Sequence, residues 1–190
     1  MRKILSVFAA VCAVWSSHAQ PVLNAANNTP VPGETYYRTV CLRPGVTTKD
    51  SGANVTWDYS DLTTNSYDSI QCLSCSGTPH CDTFPLANLV LSRSGIYQYC
   101  QTGVKMFSTL GVIGTGVQTA YYGNPESVMI YPLGFLDTKS DSFFVNQPGA
   151  SLFTYGRIDF HSDAYGTLII PSGVFFKCVA CALSITRHRQ

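Results

Sequence analysis

The chain has 190 residues, a formal charge of +1 and only 12% charged residues, while 45% are hydrophobic. Its basic residues form no tract, which excludes a charge-driven nucleic-acid binder. Serine, threonine, asparagine and glycine carry the polarity instead, as in many extracellular β-proteins.

The opening stretch MRKILSVFAAVCAVWSSHAQ is built like a secretory signal peptide. Arg2 and Lys3 give a positive start, Ile4 to Trp15 an apolar run, and Ser17-His18-Ala19 the small residues that signal peptidase needs. That run is shorter than the ~20 apolar residues of a spanning helix, and no later stretch is longer. Val11 stands where a lipoprotein would have a small residue before Cys12. The expectation is residues 1–19 as signal peptide, cleavage near Ala19/Gln20, and one domain over 20–190, secreted or on the outer cell surface. Within 20–190, ten basic residues face 11 acidic ones.

After a lead-in loop at 24–33, period-2 patterns dominate. Strands are expected at Thr35–Leu42, over NVTWDYSDL (54–62), and at Asp68–Leu73, Asn88–Ser92, Tyr97–Thr102, Val104–Val112, Gln118–Tyr122, Ser127–Tyr131 and Ser140–Val145. GRIDFHSDAYG (156–166), Thr167–Ile170 and Val174–Ile185 follow. In the second strand Val55, Trp57 and Tyr59 point one way and Asn54, Thr56 and Asp58 the other. The turns NNTPVPG, RPG, RSG, YGNPE, QPGA and PSG punctuate them, and GVIGTG (111–116) reads as a hairpin rather than a dinucleotide loop. Many short strands without helical crossovers predict an all-β fold: an antiparallel β-sandwich, jelly-roll-like, in a single domain.

Eight cysteines are present, and seven remain after the signal: Cys41, Cys72, Cys75, Cys81, Cys100, Cys178 and Cys181. C-x-x-C occurs at 72/75 and 178/181, which formally matches a four-thiolate zinc site. Behind a signal peptide, thiols tend to pair instead, so all seven are disulfide candidates and no resident metal is expected. A redox couple would need a helix N-terminus after a strand, and strands and turns surround both pairs. Seven is odd, so one thiol stays free or links a dimer. His80, beside Cys81, reads as a surface-turn residue in preference to a zinc ligand.

Asp159, His161 and Asp163 fall at i, i+2 and i+4 and share a strand face, a set that could hold a metal or polarise a hydroxyl. The same spacing is what a solvated strand face produces when Ile158 and Phe160 point inward, and that reading is preferred. Hydrolase elbows, H-E-x-x-H and P-loops are missing, and no carboxylate pair is singled out. Trp57 fits the core better than a sugar platform. The pairs Tyr36/Tyr37 and Tyr121/Tyr122 place one ring on each sheet face and are the candidates for glycan or protein contact.

SGANVTWDYSDL, YPLGFLDTKSDSF and DAYGTLIIPSGVF, in this order and spacing, resemble the N-terminal β-rich domain of secreted Bacteroidota proteins of the type IX secretion class, over most of residues 21–176. Those relatives are cysteine-poor, carry a C-terminal sorting domain and have no assigned function, so the resemblance implies a destination and no active site. No sorting domain follows here, which raises the expectation of a truncated or short form. DSI at 68–70 resembles the phylum's O-glycosylation acceptor, with Ser69 as the attachment point.

The reading at this stage is an exported, non-catalytic module with a structural or binding role, contacting glycan or a cell-surface protein and needing no cofactor. The alternative is an extracellular hydrolase or metal-dependent enzyme built on Asp159, His161 and Asp163.

Overall fold

The computed structural model of the chain describes residues 20–42, 50–117, 119–150 and 152–189. The expected signal peptide with Cys12, and the RPG turn, lie outside them. A one-turn helix α1 (Ala25–Asn28) precedes ten strands: β1 (Thr35–Leu42), β2 (Gly52–Asp58), β3 (Thr63–Leu73), β4 (Leu89–Arg93), β5 (Ile96–Thr102), β6 (Met106–Gly114), β7 (Ala120–Ile130), β8 (Thr138–Gln147), β9 (Leu152–Ile170) and β10 (Gly173–Arg189).

The strands join one open sheet in the order β1-β3-β4-β5-β6-β7-β8-β9-β10, with β2 paired to β9 beside it. Every pairing is antiparallel except β2 with β9. The fold is therefore all-β, a single sheet of ten described strands that is not closed. Short turns explain this: most of them return the chain to the adjacent position, so the sheet grows as a meander. At RSG, Ser94 and Gly95 both take positive φ, 49° and 78°, as a two-residue hairpin loop requires.

Each expected strand has a counterpart, though the one over 54–62 ends at Asp58 and Gln118 lies outside the described residues, and two breaks between them are absent. YGNPE does not turn; it runs inside β7, and Pro125 is tolerated because the register shifts on both sides, at Thr109/Gly111 and Tyr122/Asn124. Likewise 156–170 is one stretch of the 19-residue β9.

A lone sheet needs covers, and this one has them in its middle. Leu89 and Cys100 face one way and pack with Cys72, Phe107 and Tyr131, under Leu23 and Ala25 of the lead-in segment. That segment is pinned by paired backbone hydrogen bonds between Leu23 and Leu133 and by Tyr131 Oη donating to the Asn28 carbonyl at 3.0 Å. Val90 and Tyr99 face the other way and pack with Leu110 of β6 and with Phe84 and Cys75 from the β3–β4 connection. Phe84 stacks on Tyr99 at 4.4 Å between ring centres. The Cys75–Cys81 disulfide, with Cα atoms 5.3 Å apart, ties this cover into a loop. Toward the other end the sheet curls, β7 touching β9 across β8, around Ala120, Phe143, Val145, Ile158 and Phe160. Each of these large side chains contributes roughly 1.5–3 kcal/mol by leaving water.

A candidate binding cavity behind β10

β2 reaches β9 from far away in the chain and pairs in parallel, Val55 with Gly166 and Trp57 with Leu168. The approach is so close at Gly166 that any Cβ there would overlap the Val55 backbone. A bulge between Ala53 and Val55, with Asn54 at φ 57°, sets the phase that turns Trp57 inward. Trp57 is 7% exposed, and its indole Nε1 donates to the Asp50 carbonyl at 3.0 Å.

On the far side of β9, β10 pairs with register shifts at Phe175/Cys178 and Ala180/Ala182. Between β2, β9 and the Cys178–Ala182 stretch lies a cavity of about 560 Å³, lined also by Asp50, Trp57, Tyr59, Asp163 and Leu168. That volume is within the range of small-molecule sites. Two aromatic residues, two acidic residues and two cysteines line the cavity beside aliphatic ones. Burial pushes the Cys181 thiol up, and the charge of Asp163 adds to the shift. A thiol so placed stays protonated at neutral pH and is a poor nucleophile. Cys178 donates to the Phe175 carbonyl at 3.5 Å.

The three-residue Asp/His set does not assemble. Along β9, Ile158, Phe160, Ser162 and Ala164 are buried, and His161 is exposed on the opposite face, as the alternation required. Asp159 accepts from Arg157 Nε at 2.8 Å, and His161 Nδ1 meets Thr138 Oγ1 at 3.0 Å. Asp163 alone lines the cavity. Among the described residues no three His, Cys, Asp or Glu side chains gather as metal ligands.

The four-thiolate set is likewise dispersed. Cys75 is bonded to Cys81, while Cys72 belongs to β3 and Cys178 and Cys181 to β10, near opposite ends of the sheet order. Cys41, Cys72, Cys100, Cys178 and Cys181 carry free thiols, an odd number, of which Cys72 and Cys100 are buried. Three residues along an extended strand span about 10 Å, beyond disulfide reach, which keeps Cys178 and Cys181 apart. His80 sits in an exposed turn at φ 63°, directly before Cys81.

The tyrosine pairs divide. Tyr37 is 86% exposed and Tyr36 42%. A hydrogen bond to Glu34 holds the Tyr36 hydroxyl up to about 12. Tyr121 stacks toward Phe84 at 5.8 Å, and Tyr122 lies 6.5 Å from Phe143, so both serve packing. Ser69 is half-buried inside β3, opposite Tyr37.

Sequence reasoning named Trp57, Asp163, Cys178 and Cys181 separately, without joining them. Asp50 was not named, and no pattern around it distinguishes it. The signal that joins them is the parallel β2–β9 pairing, which no local motif encodes. Comparison with known proteins finds no match: no family model fits the chain, and no curated protein or solved structure resembles it.

Proposed function

We propose that the chain is an exported, non-catalytic binding module that takes a glycan in the cavity between β2, β9 and β10. One observation carries the reading: Tyr59 and Trp57 share that cavity with the carboxylates of Asp50 and Asp163. Aromatic surface suits the C–H faces of a sugar ring, and carboxylates accept hydrogen bonds from its hydroxyl groups. The cavity's chemistry favours holding over reacting. No histidine lines it, and Cys181 is kept protonated. The competing hydrolase reading loses its support because Asp159 and His161 are engaged with Arg157 and Thr138 instead of converging with Asp163.

Export rests on the signal-like opening, and the type IX resemblance supplies the same destination. A sandwich in the strict sense would need a second layer, and the outer face bearing Phe153 and Tyr155, 43% and 47% exposed, is where one would seat. Contact with a cell-surface protein is a second reading, favoured by Tyr37 and Tyr67. They are 86% and 79% exposed, and share one face of the β1–β3 ribbon.

Calorimetric titration with a panel of neutral and acidic oligosaccharides tests the main reading. At least one sugar should bind, and Asp163→Asn should weaken it by about tenfold, the loss of one charge-assisted hydrogen bond. Absence of binding across the panel, or binding indifferent to Asp163→Asn, overturns it.

A further inference from the structure

β10 is the last strand of the sheet, and among the described residues nothing pairs with its outer edge. Its first part is irregular, with Lys177 at φ 58° in the Phe175/Cys178 shift. From Ala182 to Arg189 the pairing with β9 runs without a shift. That segment, ALSITRHR, contains no proline, glycine or acidic residue. Its charges, Arg187 and Arg189, sit at the far end, and the regular edge ahead of them is a template for another strand.

The core face also runs out here. Leu183 lies opposite Phe160 and Ile185 opposite Ile158. Phe160 and Ile158 are 3% and 2% exposed, yet Leu183 is 54% and Ile185 41% exposed. The apolar layer reaches the boundary and stops uncovered.

We infer that a second copy of the chain pairs antiparallel with this edge, with the two-fold axis at Ser184. The segment is close to palindromic about that residue. Leu183 then stands opposite Ile185 of the second copy, and Ala182 opposite its Thr186. Apolar cross-strand pairs of this kind stabilise antiparallel edges. The register sets no like charges against each other. Shifting the axis to Leu183 or Ala182 would oppose Lys177 to Arg189 or Arg187, and shifting it to Ile185 would put Leu183 against Arg187.

The same register has a consequence for the cavity. Arg187 and His188 of the second copy fall opposite Cys181 and Ala180, which wall the space that holds Asp50 and Asp163. Basic residues thus arrive beside two carboxylates, and the dimer closes the cavity along β10. The pairing is non-covalent and does not depend on the ligand reading.

Sedimentation velocity over a micromolar concentration series, with reductant present, tests it. The expected result is twice the chain mass. Leu183→Lys and Ile185→Lys, each placing a charge in the joint, should raise the dissociation constant by about tenfold or more. Tyr37→Lys, at the opposite edge, should leave it unchanged. In a background of Cys178→Ser and Cys181→Ser, Ser184→Cys should cross-link into a dimer on treatment with oxidised glutathione. Circular dichroism confirms that each variant is folded. A monomer at every concentration, a dimer indifferent to Ile185→Lys, or a folded Ser184→Cys variant that does not cross-link overturns the inference.

Discussion

β1 and β10 bound the same sheet and are built on different plans. β1 is exposed almost throughout, and its contact with β3 is held by charge: Arg38 pairs with Asp68, which also accepts from Arg93 at 2.7 Å. Those guanidinium groups, Arg38 first, hold the Asp68 carboxyl below its usual range. A register shift between Val40 and Cys41 further disrupts that edge. β10 has its irregularity early and then offers a regular, apolar-flanked edge, with a cavity behind it. Natural sheets guard edges with charge and bulges. The charge-held edge lies far from the cavity, whereas the irregular first part of β10 walls it and the regular part runs on beyond. The difference teaches that the two ends are built differently: one is tied by charge across exposed strands, the other carries the uncovered margin of an apolar layer.

If that division is real, core and cavity changes at the β9–β10 end should be costly and changes at the β1 end mild. Phe160→Ala should cost about 3–5 kcal/mol in denaturant unfolding, as for other large aromatic deletions. Tyr37→Ala should stay within about 0.5 kcal/mol. Equal losses would abolish the contrast. Gly166→Ala should cost about 3 kcal/mol, because its Cβ must displace the Val55 backbone. It should also shift Trp57 fluorescence as β2 moves.

The middle of the sheet gives intermediate effects. Cys75→Ser with Cys81→Ser removes the tie on the Phe84 cover and should cost about 2 kcal/mol, read from the same unfolding curves. Burial pushes the Cys100 thiol from 9.0 up to about 12. The folded state therefore holds a proton that the unfolded state releases above pH 9. The associated stability is full below that pH and is lost as pH rises toward 12, at about 1.4 kcal/mol per pH unit. Comparing wild type with Cys100→Ala across that window isolates the effect, since the variant should fall less steeply. The smallest change belongs to β1. Asp68→Asn should matter only above the lowered Asp68 pKa, and its effect should vanish at high salt.

Much of the fold was legible, for a physical reason. In β9 the alternation of Ile158 and Phe160 with Asp159 and His161 is imposed by the pleat, so the sequence declares both faces. β1 was readable to the residue. What stayed hidden depends on contacts distant in the chain. Pro125 reads locally as a turn, and only the flanking register shifts let β7 pass through it. Strand spacing alone does not distinguish one curled sheet from two packed ones, since both need the same alternation. The cavity was legible in parts, through Trp57 and Asp163, but its assembly rests on β2 crossing to β9. The C-x-x-C spacing, read as disulfide rather than zinc, left the partners open, and the bond found joins Cys75 to Cys81.

The most direct test of the cavity as a binding site uses Trp57, the only tryptophan of residues 20–190. Its emission should be followed while oligosaccharides are titrated into the protein, with Asp163→Asn as the comparison. A saturable change in wild type that weakens in Asp163→Asn is the result this account predicts. An emission that no sugar moves, with the fold intact, would contradict it.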